Sequence, residues 1–332
     1  MPASGARLQT VDVLRGLAAF SVSWYHFTTA NPALPGPGWF RESGRHGWLG
    51  VDVFFVISGF IIPYALTRGG YRLHDYGRFL LKRVIRLDPP YLASIACILV
   101  GLALAARVPG LAGTDKAVSV TGVLLHLGYL NAFFPYPWLN VVFWTLAIEF
   151  QFYLIAGLIH PVLARRSSAA RASVFVVAGL FAYLSAEEGF VFHWLMIFFA
   201  GAVVFQFRAG MLGPAALAGW IAAAGVVTIF THSAAVASVV VSTALLIAFV
   251  DLPAPAPLRW LGAISYSLYL MHPLIGGRIM AWAARQPQGP IATAAWLAAA
   301  VAASLAAAWG LYLLVERPAQ RWSSRIRYRA AP

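Results

Sequence analysis

The first apolar run of the chain, residues 11–30, carries three ionisable side chains: Asp12, Arg15 and His26. At about 100° per residue, the eleven steps from Arg15 to His26 leave a net rotation of about 20° and a rise of about 16 Å. Both residues therefore lie on one helical face, at opposite depths. An imidazole in that position suits a general base, and a guanidinium suits a phosphate or another anion. Asp12, three residues before Arg15, is spaced to neutralise it. The structural alternative is that Arg15 snorkels to the nearer surface while His26 serves only as a hydrogen bonder between helices.

Further residues of this kind recur at set places. The run Gly50-Val51-Asp52-Val53-Phe54-Phe55 opens the second apolar segment. It sets Asp52 at roughly the depth of His26, where a carboxylate orients an imidazole and raises its basicity. A helix N-cap is the alternative role. In Lys82-Arg83-Val84-Ile85-Arg86 the two arginines are i,i+3 neighbours, so two planar forks can grip phosphate together. The alternative is a basic flank touching lipid headgroups. Glu149 sits deep in Phe143-Trp144-Thr145-Leu146-Ala147-Ile148-Glu149, where a lone carboxylate must protonate or find a partner. Ser265, Tyr269 and His272 follow i, i+4, i+7 spacing on one face, with His272 near the depth of Glu149. Packing for Tyr269 and a turn cap before Pro273 for His272 are the plainer readings. His46, His74, His126, His160, His193 and His232 fall in loops or at interfaces. Neither a His-Glu-x-x-His motif nor a phosphate-cradling glycine loop is present, and Cys97 is the sole cysteine. No metal and no disulfide are expected.

The elements that hold these residues follow from composition. Of 332 residues, 61% are apolar and 11% charged, against about 25% charged in an average soluble domain. Apolar runs fall at 11–30, 47–66, 89–107, 139–163, 172–187, 190–207, 213–230, 234–250, 260–282 and 292–315. Each has helical length, which predicts an all-α, polytopic membrane protein with about ten transmembrane helices. With the N-terminus inside, 17 of the 24 Lys and Arg residues lie on the inner side and six on the outer. The positive-inside rule then gives an N-in, C-in topology. The net charge of +13 records that orientation and an affinity for anionic membrane lipid, so no nucleic-acid partner is needed. The loop 31–46, with Pro32, Pro35, Gly36, Pro37 and Gly38, reads as an ordered outer turn, residues 118–134 as an interfacial or re-entrant outer segment, and 251–257 as an inner linker. Arg15 interrupts the first run, so that run reads as a retained helix, not a cleaved signal. Residues 1–332 are expected to form a single membrane domain with no appended soluble domain.

In order along the chain, these motifs resemble the acyltransferase-3 family of bacterial integral-membrane O-acyltransferases. Arg15 and His26, ten residues intervening, fit the family's first-helix motif, and Arg83 and Arg86 its Arg-x-x-Arg motif. Gly50–Phe60 and Trp144–Tyr153 look like two further signatures, with Thr145 where serine is more usual. Ser265–His272 and Glu316-Arg317-Pro318 resemble the C-terminal ones. The resemblance implies a multi-pass protein of the bacterial inner (cytoplasmic) membrane. It implies transfer of an acyl group, usually acetyl, from cytoplasmic acyl-CoA to a hydroxyl of an extracytoplasmic or lipid-linked carbohydrate. On that reading Arg15, Arg83 and Arg86 hold the CoA phosphates. His26, Asp52 and Glu149 are the catalytic candidates, and Tyr269 and His272 contact the acceptor. A glycolipid or small-solute transporter or flippase is the rival from another class, and a different membrane acyltransferase family is a third.

Overall fold

The computed structural model describes residues 5–30, 38–107, 118–185, 187–286 and 289–328. The chain begins with α1 (Gly5–Phe27), α2 (Gly38–Ser43), α3 (Gly50–Arg68), α4 (Tyr76–Ala105), α5 (Val120–His126) and α6 (Phe143–Leu163). It continues through α7 (Ser168–Leu184), α8 (Val191–Arg208), α9 (Pro214–Thr231) and α10 (Ala234–Phe249). Then come α11 (Ala256–Ala263), α12 (Ser265–Met271), α13 (Gly276–Ala283), α14 (Pro290–Leu311) and α15 (Arg317–Arg325). A π-helical turn at Tyr312–Glu316 joins the last two. No strand occurs among the described residues. Of the expected outer turn, 31–46, residues 31–37 lie outside them, and the described part holds α2.

Among the described residues, six helical segments are long and apolar enough to cross a membrane: Gly38–Arg68, Leu73–Ala105, Phe143–Leu163, Val191–Arg208, Pro214–Thr231 and Pro290–Arg325. Helices α7 and α10 are apolar but shorter. Helix α1 has the length of a span, 23 residues, and Asp12, Arg15 and His26 dilute its apolar run. Large apolar side chains such as Phe230, Ile291 and Leu314 face outward, as they do where the solvent is lipid. The chain is a multi-pass, all-helical membrane protein.

Two segments depart from the expected spans. The third span was expected from Pro89, yet α4 already begins at Tyr76 and runs through Pro89 and Pro90. Packing against neighbouring helices makes such a proline-loosened turn tolerable, and the Tyr266 hydroxyl of α12 holds α4 close by, donating to Leu87 O at 2.9 Å. Arg83 and Arg86 therefore lie inside a long helix, not on its entry turn. The run 260–282, expected as one span, is divided into α11, α12 and α13. Pro273 lacks an N–H and crowds the preceding turn, so the helix stops at Met271 and restarts at Gly276. That break leaves His272 at the end of a short buried helix, with none of its own surface exposed.

The core is centred on α3 and α8, which touch backbone to backbone. A Cβ on Gly59 would run into the Phe198 carbonyl, and one on Gly201 into the Val56 carbonyl. Small residues at a crossing let apolar helices approach this closely, where dispersion does what the hydrophobic effect does in water. Phe152 of α6 stacks on Phe198 at 4.0 Å, fixing α6 against the same pair. This frame sets the inner faces of α1, α3, α4 and α6 around a common space.

Candidate active site

That space is a cavity of about 370 Å³. Val11 and Arg15 come to it from α1, and Phe54, Ser58 and Ile61 from α3. Helix α4 contributes Lys82, Arg83 and Arg86, and α6 contributes Thr145, Glu149 and Tyr153. Tyr266 and Tyr269 of α12 complete one end, while Gln320, Ser323, Ser324 and Tyr328 cover the other. The C-terminal stretch is tied down at that end. Ser323 Oγ donates to Lys82 O at 2.9 Å, and Lys82 Nζ donates to Ile326 O at 3.4 Å and lies over the Tyr328 ring. Burial pushes the Tyr328 hydroxyl above its ordinary pKa, while nearby Arg83 opposes the shift.

Five of the residues singled out in the sequence meet on this cavity: Arg15, Arg83, Arg86, Glu149 and Tyr269. The Arg83 guanidinium lies over the rings of Phe79 and Tyr153, at 5.3 and 5.7 Å, and its Nε has no acceptor within the protein. None of the three arginines is in an ion pair among the described residues. Glu149 is engaged elsewhere: its Oε1 accepts from Ser58 Oγ at 2.6 Å and from Tyr153 Oη at 2.5 Å. A positive charge that is buried without a counter-charge is costly, and Arg83 is buried in this way at the cavity wall.

His26 and His272 lie behind the tyrosine end. The Tyr269 hydroxyl shares a 2.8 Å hydrogen bond with Thr145 Oγ1, and its ring stands edge-on to the His272 ring, centroids 5.9 Å apart. His272 Nε2 is 3.0 Å from His26 Nδ1. The expected pairing of His26 with Asp52 is not made: His26 Nδ1 meets Val22 O, also at 3.0 Å, and His272. Asp52 is 1% exposed in the first turn of α3, and its Oδ1 has no hydrogen-bond partner. His272 and Glu149, matched in depth along their runs, do not meet each other but take different partners: His26 for the one, Ser58 and Tyr153 for the other.

Several site residues carried no role in the sequence reading. Ser58, Thr145, Tyr153 and Tyr266 are polar groups inside apolar runs, and that is the signal that marks them. Glu316 is another. The π-turn swings it inward, where Oε2 accepts from Ser267 N and Oγ at 3.2 and 2.6 Å and Oε1 accepts from Gln320 Nε2 at 2.9 Å. Such turns are frequent at functional sites. No group of three or more metal-ligating side chains is present among the described residues.

Comparison with known proteins gives the family. The family described as an acyltransferase domain, acyltransferase-3, matches residues 8–313. A protein named as a membrane-bound transacylase, BcsY of Komagataeibacter xylinus, is 27% identical over 306 residues, 80% of this chain and 72% of its own. A protein named as an acetyltransferase, ORF330 of Acidianus two-tailed virus, is 32% identical over 148 residues, 44% of this chain and 39% of its own. The O-acetyltransferase OatA of Staphylococcus aureus is 32% identical over 170 residues, 48% of this chain. The chain thus spans 39% of the viral protein's length and 26% of OatA's. No solved structure matches. The transporter reading finds no support among these relatives. The chain belongs to the acyltransferase-3 family of membrane-bound acyltransferases.

Proposed function

We propose that the protein transfers an acyl group, acetyl in the first instance, from cytoplasmic acyl-CoA to a hydroxyl of an extracytoplasmic or lipid-linked carbohydrate. The observation that carries this reading is the convergence of Arg15, Arg83 and Arg86 on one cavity without an ion pair among them. A CoA molecule is an acyl chain on a flexible arm with phosphates at the far end. The guanidinium forks suit those phosphates, and Lys82 adds a fourth positive charge beside them. The rest of the cavity, walled by Phe54, Leu146 and Tyr269, suits the arm and its thioester. An N-in, C-in orientation in the bacterial inner membrane puts the arginine end on the side where acyl-CoA is made. A relative that is an O-acetyltransferase supports a hydroxyl as acceptor and acetyl as cargo.

His26 is the general base in this scheme. As the acceptor oxygen bonds to the thioester carbonyl carbon, the hydroxyl proton passes to the imidazole. The carbon–sulfur bond then breaks, and the imidazolium returns its proton to the leaving CoA thiolate. An O-acyl ester and free CoA result, and the enzyme ends as it began. Base catalysis of this kind contributes about 10²–10⁴-fold. Titration of the purified protein with CoA tests the donor site. Arg83→Ala/Arg86→Ala should weaken CoA binding at least 10-fold, since each charge-assisted bond contributes about 1.5–3 kcal/mol. An unchanged CoA affinity removes the phosphate role and with it the acyl-CoA reading.

A further inference from the structure

The two histidines are 246 positions apart in sequence and joined by one hydrogen bond in the fold. Their protonation can be read from what each nitrogen faces. His272 Nδ1 lies 3.1 Å from Leu268 O. A carbonyl only accepts, so that nitrogen must carry the proton. A neutral imidazole has one N–H, which leaves a lone pair on His272 Nε2. That lone pair points at His26 Nδ1, which also faces the Val22 carbonyl at 3.0 Å. Both of its neighbours are acceptors, so His26 Nδ1 is the donor, shared between them. The one nitrogen left with a free lone pair is His26 Nε2.

We infer that His272 is a positioning residue for His26: it holds the ring so that Nε2 is the basic atom, and it accepts from Nδ1–H when the ring becomes charged. Its own placement is rigid. His272 has no exposed surface, its ring is edge-on to Phe27 at 6.0 Å and to Tyr269 at 5.9 Å, and the break before Pro273 fixes its backbone. In many acyl-transfer sites a carboxylate orients the base. Here an imidazole holds that place, because Asp52 of α3 bonds to neither ring and no ion pair reaches them among the described residues. Among the described residues, Tyr25 of α1, with its ring 5.2 Å from that of His26, and Tyr269 of α12 are the other titratable groups whose rings lie against the pair. A neutral partner leaves the pair uncharged at rest, which an apolar bundle tolerates better than a buried ion pair.

The inference rests on His26 being the base, and the test separates the two claims. Rates of acetyl-CoA-dependent acylation are measured against pH for wild type, His26→Ala, His272→Ala and His272→Gln, each checked for monodispersity and CoA binding. Glutamine can present an acceptor oxygen close to the position of Nε2. The expected result is loss of activity in His26→Ala and a fall of about 100-fold in kcat for His272→Ala, in line with the cost of misplacing a catalytic group. The acid limb of its pH profile, where the base becomes protonated, should be displaced, KM for acetyl-CoA should be unchanged, and His272→Gln should recover much of the rate. A wild-type rate and pH profile in His272→Ala overturns the inference while leaving His26 as base. A His272→Gln protein that binds CoA but is as slow as His272→Ala overturns it too. Full activity in His26→Ala overturns the underlying reading instead.

Discussion

Ser58 of α3 donates a 2.6 Å hydrogen bond to Glu149 of α6, and Tyr153 donates a second to the same carboxylate oxygen. The pair ties two helices together at the cavity wall and holds Glu149 away from an ion pair with the arginines. Glu149→Ala removes the common acceptor and leaves two hydroxyls unsatisfied, at a cost of about 1–3 kcal/mol. Glu149→Gln keeps an acceptor oxygen and should lose less. Thermal unfolding of the detergent-solubilised proteins should rank wild type, Gln and Ala in that order. Equal melting of Ala and wild type contradicts the structural role.

Gly59 offers a second test, directed at the frame behind the cavity. A methyl there meets the Phe198 carbonyl of α8, whereas one on Gly101 of α4 has nothing within 4 Å. Gly59→Ala should lower stability by about 1–3 kcal/mol or more through overpacking. Gly101→Ala should be neutral or stabilise by up to about 1 kcal/mol through helix propensity. Matching effects of the two substitutions contradict the close crossing of α3 and α8.

A pH effect is expected away from the site. His232 lies at the turn between α9 and α10, its ring 4.3 Å from that of His193. Burial first, and the neighbouring His193 second, lower it from 6.5 to about 4. The unfolded chain takes up this proton near pH 6.5 and the folded protein only near pH 4. The stability linked to His232 is therefore complete above pH 6.5 and drains away as the pH falls towards 4. Between pH 7 and pH 5 the loss is on the order of 1–2 kcal/mol. His232→Gln should melt with a smaller drop over that interval. An equal drop in both proteins contradicts the assignment.

How much of this was legible in the sequence differs between residues. The arginines were legible because an i,i+3 pair and an eleven-step spacing fix a helix face, and polar residues in apolar runs stand out. Glu149 and Tyr269 were marked by the same contrast. The His26–His272 contact was not, because helix phase gives a face but not the partner across 246 positions of chain. Depth counted along each run suggested Asp52 as the companion of His26. That count assumed an unbroken ninth span, and the stop at Pro273 sets His272 in the place assigned to Asp52. The start of α4 was misjudged for a related reason. Pro89 and Pro90 read as a helix entry, but the surrounding helices keep the backbone helical on both sides of them.

If His26 is the base for acyl transfer from acyl-CoA, its removal must erase the acylated product. Mass spectrometry of surface glycans tests it most directly, in cells lacking the protein and supplied with either wild type or His26→Ala at matched membrane levels. An acyl ester is expected on the glycan with wild type and none above background with His26→Ala. Acylation at the wild-type level by the His26→Ala protein would contradict it.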